Sequence, residues 1–156
     1  MKADAEVLLI EDNLADVRLA LHVMKEQHAG HQVHVVRDGQ EALEFLFDER
    51  ANGESSRSRL GLVLLDLKLP KVNGFEVLKA IRADARTRTL PVVVLSSSNQ
   101  ERDVVQSYEL GASGYVQKPV DFDEFRDVVR RIAAYWLGPN LIPRRESGIV
   151  DSATGT

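Results

Sequence analysis

The chain has no cysteine among its 156 residues. That absence excludes disulfides, thiolate nucleophiles and cysteine-ligated metals together. No apolar run approaches the length of a membrane span and no signal peptide opens the chain, so the expected location is the cytoplasm with no membrane partner. An excess of positive charge is missing too: 20 Lys and Arg stand against 24 Asp and Glu, giving a formal charge of -4 and a pI near 5.6. With no dense Lys/Arg cluster, direct nucleic-acid binding is disfavoured. The histidines His22, His28, His31 and His34 crowd around one predicted helix end and the strand after it, and they read as surface residues rather than a metal site. A content of 44% hydrophobic and 28% charged residues suits a globular chain of about one domain.

What the sequence does have is organised around Asp66. Leu62-Val63-Leu64-Leu65 is a continuous apolar run, entered after Gly61 and followed by Pro70, as expected of a strand buried on both faces. Asp66 leaves its C-terminal end, the edge of a parallel sheet where ligands bind. The same pattern occurs earlier, where Val7–Ile10 runs into Glu11-Asp12-Asn13. From Leu14 an apolar spacing of Leu14, Val17, Leu21 and Met24 predicts an amphipathic helix capped by Asp12 or Asn13. Val33–Val36 reads as a second strand, and Asp38-Gly39 opens a helix carrying Ala42, Leu43, Phe45, Leu46 and Phe47. Residues 48–61 are polar and without periodicity, and read as a mobile surface loop.

After the Asp66 strand, Asn73-Gly74 opens a helix with Val77, Leu78 and Ile81 on one stripe. Pro91 introduces a fourth strand, Val92–Leu95, ending in Ser96-Ser97-Ser98-Asn99, and a weaker helix follows with Val104, Val105, Tyr108 and Leu110. A short fifth strand, Tyr115–Gln117, ends in Lys118-Pro119. The last helix has Phe122, Phe125, Val129, Ile132 and Trp136 at helical spacing and stops at Gly138-Pro139. Five strands alternating with five helices predict an open parallel α/β sheet with helices on both faces. Glu11, Asp12, Asp66, Ser96 and Lys118 then all leave C-terminal strand ends.

Three crowded carboxylates repel one another, and a hard divalent cation with oxygen ligands relieves that repulsion. Magnesium keeps waters and shares its shell with phosphate, so a phosphoryl group is the natural substrate and Asp66 its nucleophile. Lys118 supplies an ammonium for the phosphoryl oxygens and Ser96 a hydroxyl donor. Taken singly, Ser96 and Asn99 read as N-caps, Tyr115 as a core aromatic and Lys118 as a loop lysine. Their joint placement at one sheet edge favours a phosphoacceptor.

Glu11-Asp12, Asp66 within DLKLP, Ser96, Tyr115 and Lys118-Pro119 resemble the receiver domains of two-component response regulators over about residues 5–137. The order matches, with intervals of 30 residues from Asp66 to Ser96 and 22 from Ser96 to Lys118. The resemblance implies a flavodoxin-like five-stranded sheet of order 2-1-3-4-5. It implies that Asp12 and Asp66 hold magnesium directly, Glu11 through water, and Lys68 through its backbone carbonyl. It also implies Ser96 as the switch hydroxyl, Tyr115 as the aromatic that moves with it, and a cis Lys118-Pro119 bond. Two departures are a longer loop before strand three and Ser97 where the family often has alanine. On this reading the chain is no enzyme beyond its own phosphorylation, and its partner is a sensor histidine kinase.

Three other readings were weighed on the residues. A haloacid-dehalogenase-like phosphatase expects a second aspartate two residues after the nucleophile, where this chain has Lys68. A flavin protein wants a phosphate loop where Glu11-Asp12-Asn13 stands. A phosphorylation-independent scaffold would not need the complete acidic, hydroxyl and lysine set. Residues 1–138 are expected to form the receiver domain and 139–156 a tail with a disordered end. Ala134–Leu137, Leu141-Ile142-Pro143 and the long loop resemble the stand-alone regulators that pair with bacterial phytochrome kinases. The last helix and the tail, as an arm, are expected to build a homodimer; the plainer alternative is a tail folded back on its own domain.

Overall fold

The computed structural model describes residues 5–27, 32–48 and 57–143. His28, His31, most of the predicted loop before the third strand, and the tail from residue 144 lie outside the described residues. Five strands, β1 (Glu6–Ile10), β2 (Val33–Val36), β3 (Leu60–Leu65), β4 (Val92–Ser96) and β5 (Gly114–Gln117), alternate with five helices: α1 (Leu14–Gln27), α2 (Gly39–Phe47), α3 (Gly74–Ala83), α4 (Glu101–Glu109) and α5 (Phe122–Trp136). All strand pairs are parallel and the order is β2-β1-β3-β4-β5, the flavodoxin-like arrangement. The chain moves outward from β1 to β2 and then returns past β1 to β3. The switch point therefore lies between β1 and β3, and their C-terminal ends open onto a crevice.

The period-2 alternation of the strands divides the core in two. Leu8, Ile10, Val63, Leu65, Val92 and Val94 face α2 and α3, which contribute Ala42, Phe45, Leu46, Val77, Leu78 and Ile81. Val7, Leu9, Leu62, Leu64, Val93 and Leu95 face α1 and α5, which contribute Val17, Ala20, Val23, Phe125, Val129 and Ile132. Each fully buried Leu or Ile contributes about 1.5–3 kcal/mol of transfer free energy, so the two layers together hold the sheet between the helices.

Several elements differ from the sequence reading. In α1 the buried stripe is Val17, Leu19, Ala20, Val23 and Met24, while Leu14 is exposed and Leu21 only half-buried. The small Ala20 lies in that stripe and the larger Leu14 lies outside it. Strand β3 starts at Leu60 rather than after Gly61, and Arg57 is buried, donating from Nη1 to the Leu46 carbonyl at 2.8 Å. Residues 57–61 thus belong to the packed domain, not to a mobile loop. Helix α4 commits only Ser107 fully to the interior, with Val105 and Tyr108 exposed. In α5, Phe122 is exposed at the first turn and Leu137 beyond the last turn is buried.

Gly61 has a specific reason to lack a side chain. A Cβ there would come within 2.7 Å of the Ala5 Cβ and 2.9 Å of Ile142 Cδ1. Ile142 packs on the α1/α5 side of the core, so the first residues after α5 return to the domain's own surface, whereas Leu141 is 85% exposed.

Gly74 supports the crevice directly. Its amide donates to the Leu67 carbonyl at 2.9 Å, and a Cβ there would meet the Asp66 carbonyl oxygen at 2.4 Å and Leu67 Cα at 2.6 Å. Backbone cannot give way as a flexible side chain can, so Gly74→Ala is expected to destabilise the protein by about 1–3 kcal/mol. Urea unfolding followed by circular dichroism measures this, and an unchanged midpoint would mean that α3 can shift without cost.

Candidate functional site

The register pairs Ile10 with Leu65, the last residues of β1 and β3, so Glu11 and Asp66 leave the sheet side by side. The ladder runs one step further on both sides: Asp66 N donates to the Ile10 carbonyl and Glu11 N to the Val36 carbonyl, each at 3.0 Å. Glu11 and Asp66 are buried whereas Asp12 is not, and oxygens of the three carboxylates lie within 4.8 Å of one another. The Arg37 guanidinium donates to the Asp12 carbonyl at 3.0 Å, fastening the β1–α1 turn to the end of β2. The Lys68 amide donates to Asp66 Oδ1 at 3.3 Å, and the exposed Lys68 side chain takes no part.

Lys118 reaches this group from β5. Its amide donates to the Ser96 carbonyl at 2.7 Å, extending the β4–β5 ladder past its last strand pair. Its side chain is 11% exposed, and its Nζ stands 2.7 Å from Glu11 Oε1, 2.9 Å from Asp16 Oδ2 and 3.5 Å from Asp66 Oδ2. Burial alone would lower the Lys118 pKa, but the hydrogen bonds to Glu11 and Asp16 and the charge of Asp66 outweigh it and hold the ammonium above its usual range. The Lys118-Pro119 bond is trans, contrary to expectation. Trans remains the lower-energy form of an X-Pro amide by about 0.5–1 kcal/mol.

Ser96 ends β4 and is fully buried, its Oγ accepting from the Ser98 amide at 3.2 Å. Tyr115 is half-buried against the α2/α3 side of the core and donates its hydroxyl to the Ser98 carbonyl at 2.9 Å. Ser98 in turn donates to Asp103 Oδ2 at 2.5 Å and accepts from the Gln100 amide at 3.3 Å. Gln100, not Ser96 or Asn99, is the N-cap of α4, and it makes no side-chain cap bond.

The structure therefore brings Glu11, Asp12, Asp66 and Lys118 into one cluster, with Ser96 at the end of β4 and Tyr115 of β5 bonded to the β4–α4 segment. Three contributors were missed by sequence reasoning. Asp16 had one available signal: it stands three residues after Asn13, whose Oδ1 accepts from the Asp16 amide at 3.0 Å. This identifies Asn13 as the cap of α1 and points Asp16 to the first turn. Arg37 and Ser98 act through backbone contacts that no residue spacing reveals. Among the remaining histidines, His34 is bonded to Glu6 at 2.7 Å and His22 faces Glu26 at 3.3 Å, so neither joins the cluster.

The donors fit a divalent cation: three carboxylates, no sulfur and no imidazole suit a hard ion. Burial is the main force on Glu11; it prevails over the Lys118 hydrogen bond and, with the negative charge of Asp66, pushes the carboxyl up to about 7 from an ordinary 4.5. The folded chain thus holds this proton more tightly than the unfolded chain does. The resulting stability is complete below the unfolded value and is lost as pH rises through about 7. A cation entering at low pH must first displace that proton. The rise in melting temperature on adding MnCl2 or MgCl2 is accordingly expected to be larger at pH 8 than at pH 5.5 by differential scanning calorimetry. Equal rises would remove Glu11 from the charge balance of the site.

Comparison with known proteins agrees with this geometry. The family model for the response regulator receiver domain matches residues 7–130. Response regulator Rcp1 of Synechocystis sp. is 39% identical over 138 residues, covering 88% of this chain and 92% of that protein. The crystal structure of the phosphorylated cyanobacterial phytochrome response regulator RcpA aligns with a TM-score of 0.82 at 39% identity, over 90% of this chain and 99% of that one. The Mn(2+)-bound form of Rcp1 aligns with a TM-score of 0.80 at 37% identity, over 89% of this chain and 99% of that one. Receiver domains bind divalent metal and receive phosphoryl groups from sensor histidine kinases, and the cluster of Glu11, Asp12 and Asp66 could hold such an ion. With its 2-1-3-4-5 sheet and its acids gathered at the switch point, the chain belongs to the response regulator receiver domain family.

Proposed function

We propose that this protein accepts a phosphoryl group on Asp66 from a sensor histidine kinase of the phytochrome type and signals by a conformational switch. The observation that carries the reading is the Lys118 ammonium held 3.5 Å from the carboxylate of Asp66, inside a ring of acids that would otherwise repel each other. The phytochrome partner rests on the similarity to RcpA, a phytochrome response regulator. A kinase of that kind would meet the protein in the cytoplasm. Magnesium is the proposed ion, held by Asp12, Asp66, the Lys68 carbonyl and, through water, Glu11. When bound, it neutralises charge on the phosphoryl oxygens.

A carboxylate oxygen of Asp66 forms a bond to phosphorus while the bond from phosphorus to the kinase imidazole nitrogen breaks, its electron pair staying with the imidazole. Lys118 shifts from Glu11 toward the new phosphoryl oxygens. The Ser96 hydroxyl turns from the Ser98 amide to donate to another of them. Tyr115, tied to the Ser98 carbonyl, follows that segment and changes the surface around α4. The protein catalyses no turnover beyond this self-phosphorylation. Acetyl phosphate with magnesium is expected to add one phosphoryl mass to wild type and none to Asp66→Asn; a mass gain that survives in Asp66→Asn would move the chemistry elsewhere.

Residues 1–138 form the receiver unit in this reading, and residues 139–156 follow as an arm in a homodimer built with α5. The exposed Tyr135, edge-on to Trp136 at 5.2 Å, and the exposed Leu141 support an apolar contact there, although Ile142 is already used by the chain's own core. Truncation after Gly138 is expected to lower the sedimenting mass to that of a monomer. An unchanged mass at matched concentration would exclude the arm from assembly.

A further inference from the structure

We infer that Asp16 is a positioning residue for the phosphoacceptor site: it draws the Lys118 ammonium toward α1 and away from Asp66, favouring the cation-binding state over the phosphoryl-binding one. The inference rests on the proposed phosphorylation of Asp66 for one of its two consequences and stands without it for the other.

The geometry is specific. Lys118 Nζ is 2.9 Å from Asp16 Oδ2 and 2.7 Å from Glu11 Oε1, both hydrogen-bond distances, but 3.5 Å from Asp66 Oδ2. Asp16 belongs to the first turn of α1, where the Asn13 side chain fixes its amide at 3.0 Å. Its side chain is 20% exposed, so the contact with Lys118 is partly shielded from water. Asp16 and Lys118 are 102 residues apart in sequence, and the contact joins the start of α1 to the loop after β5.

Charge then sets two effects of opposite sign. A divalent cation entering among Glu11, Asp12 and Asp66 is repelled by the ammonium, and Asp16, by holding it aside and sharing its charge, lessens that repulsion. A phosphoryl group on Asp66 brings roughly -1.5 to -2 of charge and needs the same ammonium, so for this step Asp16 is a competitor and a source of like-charge repulsion. An acid in the first turn of a helix also favours the helix itself. That structural role alone would change both properties in the same direction or leave both unchanged.

The test compares wild type, Asp16→Asn and Asp16→Glu, each also in a Lys118→Ala background, as full-length chains. Mn2+ affinity is measured by calorimetry, and the rate of phosphoryl gain from acetyl phosphate is measured at saturating Mn2+. The phosphorus–oxygen bond of that donor breaks as the bond to Asp66 forms, and acetate leaves with the electron pair. In Asp16→Asn, Mn2+ affinity is expected to fall and the phosphorylation rate to rise, each about threefold to fivefold, the scale of a partly shielded ion pair. Asp16→Glu restores both toward wild type, and in Lys118→Ala the substitution of Asp16 changes neither. Changes in the same direction, no change, or changes that persist without Lys118 would overturn the inference. If wild type gains no phosphoryl group, the function proposed above fails while the Mn2+ arm still decides the role of Asp16. If Asp16→Asn melts well below wild type, Asp16→Ser replaces it for the same comparisons.

Discussion

The site depends on one constraint: acids that the sheet forces together must be neutralised where little water reaches them. Parallel pairing aligns the ends of β1 and β3, so Glu11 and Asp66 cannot avoid each other without breaking the ladder. The fold answers with a single ammonium, brought by the short β5 and set against three carboxylates at once. Two charged groups in a medium less polarisable than water interact strongly enough to resist rearrangement. The arrangement is therefore held as it stands by charge, and a stronger cation or a larger anion would compete for the same partners. In the function proposed above, the same lysine would serve both states.

The rest of the molecule serves that edge. The two apolar layers fix the strands so that their ends stay level. Gly74 allows the backbone after Asp66 to pass closely beneath α3, and Arg37 pins the Asp12 turn to the neighbouring strand. At the outer side, the chain of bonds from Ser96 to Ser98, and from Ser98 to Tyr115 and Asp103, makes the β4–α4 segment a connected unit. Ser96, an aromatic side chain and the first turn of a helix are thereby linked through Ser98. Helix α4 itself gives little to the core beyond Ser107.

Much of this was legible in the sequence because buried parallel strands leave a strong mark. Val7–Ile10, Leu62–Leu65 and Val92–Leu95 are continuous apolar runs, and the acids that end two of them located the crevice. The trouble came where a small residue carried the packing. Ala20 belongs to the buried stripe of α1 although its size gives no strong apolar signal, and Gly61 concealed the true start of β3 because a glycine after a polar stretch looks like a loop. Contacts made by polar groups over long separations were not legible at all. Nothing near Asp16 indicates a lysine in the loop after β5, and nothing near Ser98 indicates the Tyr115 hydroxyl. The trans bond at Lys118-Pro119 is the ordinary X-Pro isomer, and the expectation of cis came from resemblance and not from the residues themselves.

Ile142, lodged beside Ala5 and Gly61, lies where β1 and β3 begin. Asp66 and Lys118 lie where strands end, so the chain leaves the described fold at the opposite pole from its chemistry. Helix α5 spans the gap: at 1.5 Å per residue its 15 residues cover about 22 Å. Whatever touches the Ile142 end of the domain therefore stands about one helix length from Asp66 and Lys118, out of their direct reach.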